Sequence, residues 1–148
     1  MTGQQATAKA MRCLPAPTNL VRPATYNIFR DNIIPAWEDP GNVGGGRIRV
    51  FGQSKQGQPD LKYDQRNMMN QLFVDFLLCI IGGELDNAHV FTGLILDPHK
   101  PLLEFWFGKN EEEPETILST ISSKLRILVD QRDFFQPENF KVELKPFS

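Results

Sequence analysis

Between Asp64 and Ile81 apolar residues fall at 68/69, 72/73, 76/77 and 80/81. This i, i+4 stripe predicts a helix packed against a sheet, with Gly82-Gly83 as its C-terminal stop. A second helix is predicted over Ile117, Leu118, Ile121, Leu125 and Leu128. Glu111, Glu112, Glu113 and Glu115 stand at its start, Pro114 suits its first turn, and Lys124 and Arg126 lie toward its end. That charge order complements the helix macrodipole. Elsewhere the period drops to two. In RIRVF, Arg47, Arg49 and Phe51 share one face and Ile48 and Val50 the other. In LLEFWF, Glu104 and Trp106 oppose Leu103, Phe105 and Phe107, and in FKVELK, Phe140, Val142 and Leu144 oppose Lys141, Glu143 and Lys145. These alternations predict strands. YNIFR (26–30) and HVFTGLIL add two more, and the prolines of DPHKP forbid helix and favour a hairpin loop between 90–97 and 102–107.

The resulting order, β, loop, β, α, β, β, α, β, implies an α+β domain: an antiparallel sheet with helices packed on one face. The helices should cover Leu103, Phe105 and Phe107, leaving the face of Arg47, Arg49, Glu104 and Trp106 free to work. Residues 1–19 are expected to be a flexible N-terminal tail or remnant helix. Thr7 to Leu14 has room for two turns before Pro15 and Pro17 stop them, and residues 20–148 are expected to form one domain. A chain of 148 residues is of ordinary size for one domain.

Composition narrows the function classes. The net charge of −2 hides an asymmetry: residues 1–66 carry nine Lys/Arg against five Asp/Glu, and residues 67–148 carry seven against thirteen. No broad basic surface is available to grip nucleic acid through many phosphates, so any such recognition must be local. The longest apolar stretch, Leu72 to Ile81, is far short of a membrane span, and the polar N-terminus has no apolar segment of the kind a secretory signal needs. Cys13 and Cys79 lie far apart in unlike surroundings, which suits a reduced compartment. His89 and His99 lack partners at metal-ligand spacing.

No nucleophile elbow, zincin or Walker motif occurs, and the Gly44-Gly45-Gly46 run is not followed by Lys-Ser/Thr, so no enzyme is expected. Cys79, inside the helical stripe, reads as a packed thiol, and Asp97 and His99 around Pro98 read as turn chemistry. Trp37-Glu38, in the loop PAWEDPGNVGGG, has two readings. In one, Trp37 folds back as a loop anchor while Glu38-Asp39 caps a turn. In the other, an exposed indole stacks on a planar ligand and the neighbouring carboxylate accepts from its edge, as a guanine offers through N1–H and N2–H. A methylated, cationic base would add a cation–π contribution.

Four runs, YNIFRDNIIPAWEDPGNVGGGRIRV, LFVDFLLCIIGG, VFTGLILD and EFWFG, together resemble the eukaryotic cap-binding translation initiation factors, the 4E family. The match runs from about Leu20 to about Val129. The resemblance implies a curved sheet backed by helices, no enzymatic activity and no cofactor. Trp37 would stack on 7-methylguanine, Glu38 would bond N1 and N2 of the base, Trp106 would touch the methyl group, and Arg47 would contact the cap phosphates, with His99 and Lys100 near them in the shortened DPHKP loop. Val74, Asp75 and Leu78 fall where the family's partner proteins, scaffold initiation factors or 4E-binding proteins, dock.

The resemblance also implies departures. The family's first strand pair and a second stacking Trp precede the matched region, so the first strands are expected to be missing here and cap binding to be weak. Two functional expectations follow. The first is a cytoplasmic factor, with the nucleus as a second location, that binds the 7-methylguanosine cap of mRNA. The second is a divergent 4E scaffold without cap binding that acts as an interaction or assembly subunit through Val74, Asp75 and Leu78. A third reading keeps only a generic α+β domain with a fortuitous WED loop.

Overall fold

The computed structural model describes residues 25–52, 62–131 and 140–147, with side chains in the first helix from residue 67 onward. The helix expected over Thr7–Leu14, the tail 1–19 and the loop 53–60 lie outside the described residues. Five strands form one antiparallel sheet in the order β1-β3-β4-β2-β5. They are β1 (Tyr26–Phe29), β2 (Gly46–Gly52), β3 (Phe91–Asp97), β4 (Leu102–Phe107) and β5 (Phe140–Pro146). Two helices, α1 (Lys62–Gly82) and α2 (Pro114–Asp130), pack on one face.

The alternation in sequence becomes the two faces of the sheet. Ile48, Val50, Leu103 and Phe105 are completely buried beneath the helices, because period 2 puts them on the side where α1 and α2 bring Met69, Leu72, Phe76, Ile117 and Ile121. Phe76 meets Phe105 edge-on at 4.7 Å. The stripe along α1 is buried at 68/69, 72/73 and 76/77, and the helix stops where Gly83 takes φ +71° and the Glu84 N–H donates to the Cys79 carbonyl. α2 begins on Pro114 with Glu115 in its first turn. Contrary to the charge order read from sequence, no base lies in its last turn: Arg126 falls just short of it.

The other face is partly closed instead of free. Trp106 is 6% exposed and Glu104 6%, because neighbouring side chains on the same face fold over them. Phe29 meets Trp106 edge-on at 5.5 Å and Phe147 packs on it at 4.7 Å. Gly93, opposite both Phe29 and Trp106 in register, admits this arrangement, since a β-carbon there would strike the Phe29 ring. The register shift between Phe91 and Gly93 bends β3 at the same place.

Candidate nucleotide-binding site

Register places the candidate residues in rows across the second face. One row reads Phe29, Gly93, Trp106, Arg47, Lys145, and the next reads Asn27, Ile95, Glu104, Arg49, Glu143. Below them lie Asp97, Leu102, Phe51 and Lys141. Trp106 and Arg47 are thus direct cross-strand neighbours at one end of the sheet.

The loop from Arg30 to Gly45 crosses that same end, joining β1 to β2 over the ends of β3 and β4. Its path is fixed by side chains of opposite kind. Asn42, completely buried, donates from Nδ2 to the carbonyls of Ile34 (3.0 Å) and Ala36 (2.9 Å), and its Oδ1 accepts from the Thr92 hydroxyl at 2.6 Å. Asp39 accepts from the Ile34 N–H at 3.1 Å and the Gly41 N–H at 2.8 Å. Arg30 reaches back to the carbonyls of Phe91 and Ala88. Where the loop passes β4 the backbones nearly touch: a β-carbon on Gly108 would overlap the Gly41 carbonyl, and one on Gly45 would overlap that of Phe107.

Pinned in this way, the loop holds Trp37 outward. The indole is 53% exposed, and Glu38 is exposed beside it with no ion pair to any described residue. Of the two readings of this segment, Asp39 performs the turn capping and Trp37-Glu38 is left accessible. The Trp106 Nε1–H is buried without an acceptor among the described residues, and His99 Nε2 is likewise buried without a partner.

The other candidates stand apart. His99 and Lys100 lie in the β3–β4 turn at the opposite end of the sheet, where Asp97 Oδ1 accepts from both their backbone N–H groups and Lys100 Nζ lies 3.9 Å from the Asp97 carboxylate. Trp106 lies four residue steps beyond Leu102, about 13 Å along the strand. Arg47 is near Trp106 but ion-paired, its Nη1 at 3.1 Å from Glu104 Oε2. On the helical face, Leu78 is 55% exposed with Val74 and Asp75 half-buried beside it on α1. Cys79 is buried, its Sγ 3.8 Å from Glu84, and burial pushes the thiol above its ordinary pKa, as a packed thiol requires. No metal-binding cluster and no helix long and apolar enough to cross a membrane occur among the described residues. Sequence reasoning missed Asn42, whose partner Thr92 is remote in the chain. It also missed the pairing of Arg47 and Arg49 with Glu104, which only the register reveals.

The family model described as eukaryotic initiation factor 4E matches residues 7–145. The chain belongs to that family. Among its relatives, initiation factor 4E1 of Drosophila melanogaster is 30% identical over 115 residues, which is 75% of this chain and 41% of the relative. The initiation factor NCBP of Oryza sativa is 24% identical over 137 residues, 90% of this chain and 51% of the relative. The chain thus spans about half the length of the curated relatives it matches. In fold it is similar to eIF4E-3 of Ascaris suum, solved as a complex with m7G cap: TM-score 0.70 at 18% identity, covering 97% of this chain and 73% of the other. It is also similar to eIF4E-3 of C. elegans in complex with the 4E-binding protein Mextli, with TM-score 0.68 at 17% identity over 97% of this chain and 75% of that one. The sheet backed by helices is therefore the fold of the 4E family.

Proposed function

We propose that this 4E-family domain, taken as the single unit 20–148, binds the 7-methylguanosine cap of mRNA and serves in translation initiation. Trp37 stacks on the base and Glu38 accepts from N1–H and N2–H; Trp106, expected at the methyl group, draws less support because Phe29 and Phe147 cover it. The observation that carries the reading is the accessibility of Trp37 and Glu38 on a loop pinned to the sheet end that bears Trp106. Stacking is worth about 1–3 kcal/mol per base and a bidentate base contact about as much. Trp37 covers one face of the base, and with a single exposed indole among the described residues binding is proposed to be weak. Arg47, His99 and Lys100, expected at the phosphates, draw less support, the first because Glu104 holds it and the others because they sit at the far sheet end. Capped mRNA and a cytoplasmic location, with the nucleus second, belong to the same proposal.

The test is a titration with 7-methyl-GTP followed by indole fluorescence. A response stronger than that to GTP, and lost on Glu38→Ala, is the expected result. Equal responses to both nucleotides would sink it.

The exposure of Leu78 on α1 favours a second reading, an interaction subunit that engages a scaffold initiation factor or 4E-binding protein through Val74, Asp75 and Leu78. Binding of such a partner peptide that survives Trp37→Ala and Glu38→Ala but is lost on Leu78→Asp would single it out.

A further inference from the structure

The charged residues of the second sheet face form one connected chain across β4, β2 and β5. Arg47 Nη1 and Arg49 Nε each lie 3.1 Å from Glu104 Oε2, Arg49 Nη1 lies 3.6 Å from Glu143 Oε1, and Lys145 Nζ lies 3.8 Å from that same Glu143 oxygen. Glu104 is the hub and the most enclosed member, its side chain 7% exposed against 34% for Arg47 and 21% for Arg49. A carboxylate so enclosed holds its charge through these two arginines, and losing Arg47 would leave it with Arg49 alone. The more accessible Arg47 thus has one of its nitrogens engaged by the protein.

The rows below Trp106 reinforce this. Glu104 and Glu143 occupy the next row, and Asp97, already beside Lys100, occupies the one after. A phosphate chain running down this face from a base at the Trp37 loop would meet a carboxylate in each of these rows. Any pull it exerted on Arg47 would be opposed by Glu104 at like-charge distance.

We propose that Glu104 is a specificity-determining residue: by holding Arg47 and Arg49 it makes this face a reader of the methylated purine base that gains little from the phosphates attached to it. The inference rests on the base-reading function proposed above and deepens it by naming the ligand class, a 7-methylpurine nucleoside largely regardless of its phosphate chain.

The experiment compares 7-methylguanosine with 7-methyl-GTP, each titrated by indole fluorescence at low and high salt, in the wild-type protein and in Glu104→Gln. That substitution keeps the size of the side chain and removes its charge. In the wild type the two affinities should agree within about threefold with little salt dependence, since few phosphate charges are neutralised. In Glu104→Gln a freed Arg47 should raise the triphosphate affinity about tenfold, the worth of one charge-assisted bond, and leave the nucleoside within about twofold. A wild-type preference of tenfold or more for the triphosphate overturns the role of Glu104 and leaves base reading intact. So does a Glu104→Gln protein with an unchanged ratio. Failure of the wild type to bind either ligand overturns both proposals. The wild-type comparison needs no variant and decides even if Glu104→Gln does not fold.

Discussion

Asn42 is a short amide in a glycine-rich loop, and its three bonds set the height and direction of the two residues that face solvent beside it. Replacing it with Ala leaves the buried Thr92 hydroxyl without its partner and removes one of two donors from the Ile34 and Ala36 carbonyls, which keep the Ala36 and Asp39 N–H groups. Asn42→Ala should therefore cost about 1–3 kcal/mol, read as a lowered urea midpoint. Thr92→Val, which strands one amide oxygen, should cost about 1 kcal/mol. Both should also weaken any response of Trp37 to ligand, because the indole loses its mooring. Cys79 supplies a residue-scale test of different chemistry. Burial raises its pKa from an ordinary 9.0, so the folded protein favours the thiol while the unfolded chain ionises earlier. The stability this gives is complete below pH 9 and is lost as pH rises toward the folded value. Alkylation at pH 8 should accordingly be slow in the native protein and fast in urea.

At the scale of elements, α1 carries two faces with opposite tolerances. Phe76 is completely buried and stacks edge-on with Phe105, whereas Leu78, two residues on, is 55% exposed. Phe76→Ala should cost about 3–5 kcal/mol through lost contacts and the cavity left behind, and Leu78→Asp should stay within about 0.5 kcal/mol of the parent, both by chemical denaturation. The elements were legible because each states its period openly: the paired apolar positions of α1, and the strict alternation of RIRVF and LLEFWF. The Gly82-Gly83 stop and the Asp97 turn were legible from local chemistry as well. Less visible was what one strand does to the next. Sequence placed Arg47, Arg49 and Glu104 on one face but gave no register, and register is what joins the two arginines to the one carboxylate. The expectation of an open working face failed for the same reason, since Phe29 and Phe147 reach Trp106 from strands remote in sequence.

For the molecule as a whole, five strands and two helices share one buried cluster that runs from Tyr26 to Phe140. Heat should unfold these parts together, with near-ultraviolet and far-ultraviolet dichroism giving coincident transitions. The candidate site was legible to the extent that it is local, as Trp37-Glu38 is, or follows from alternation, as Trp106 does. Its charge state was not, because that depends on which cations the fold itself consumes.

The nearly touching backbones at Gly41, Gly45 and Gly108 carry one more consequence. With no β-carbon between loop and strand, the clearance there is fixed at main-chain thickness, and Gly108→Ala would act as a shim of a single methyl group, tilting the whole crossing away from the sheet. Drift at a position that touches no ligand would thus reset how the loop carrying Trp37 lies against the sheet, leaving the hydrophobic interior as it was.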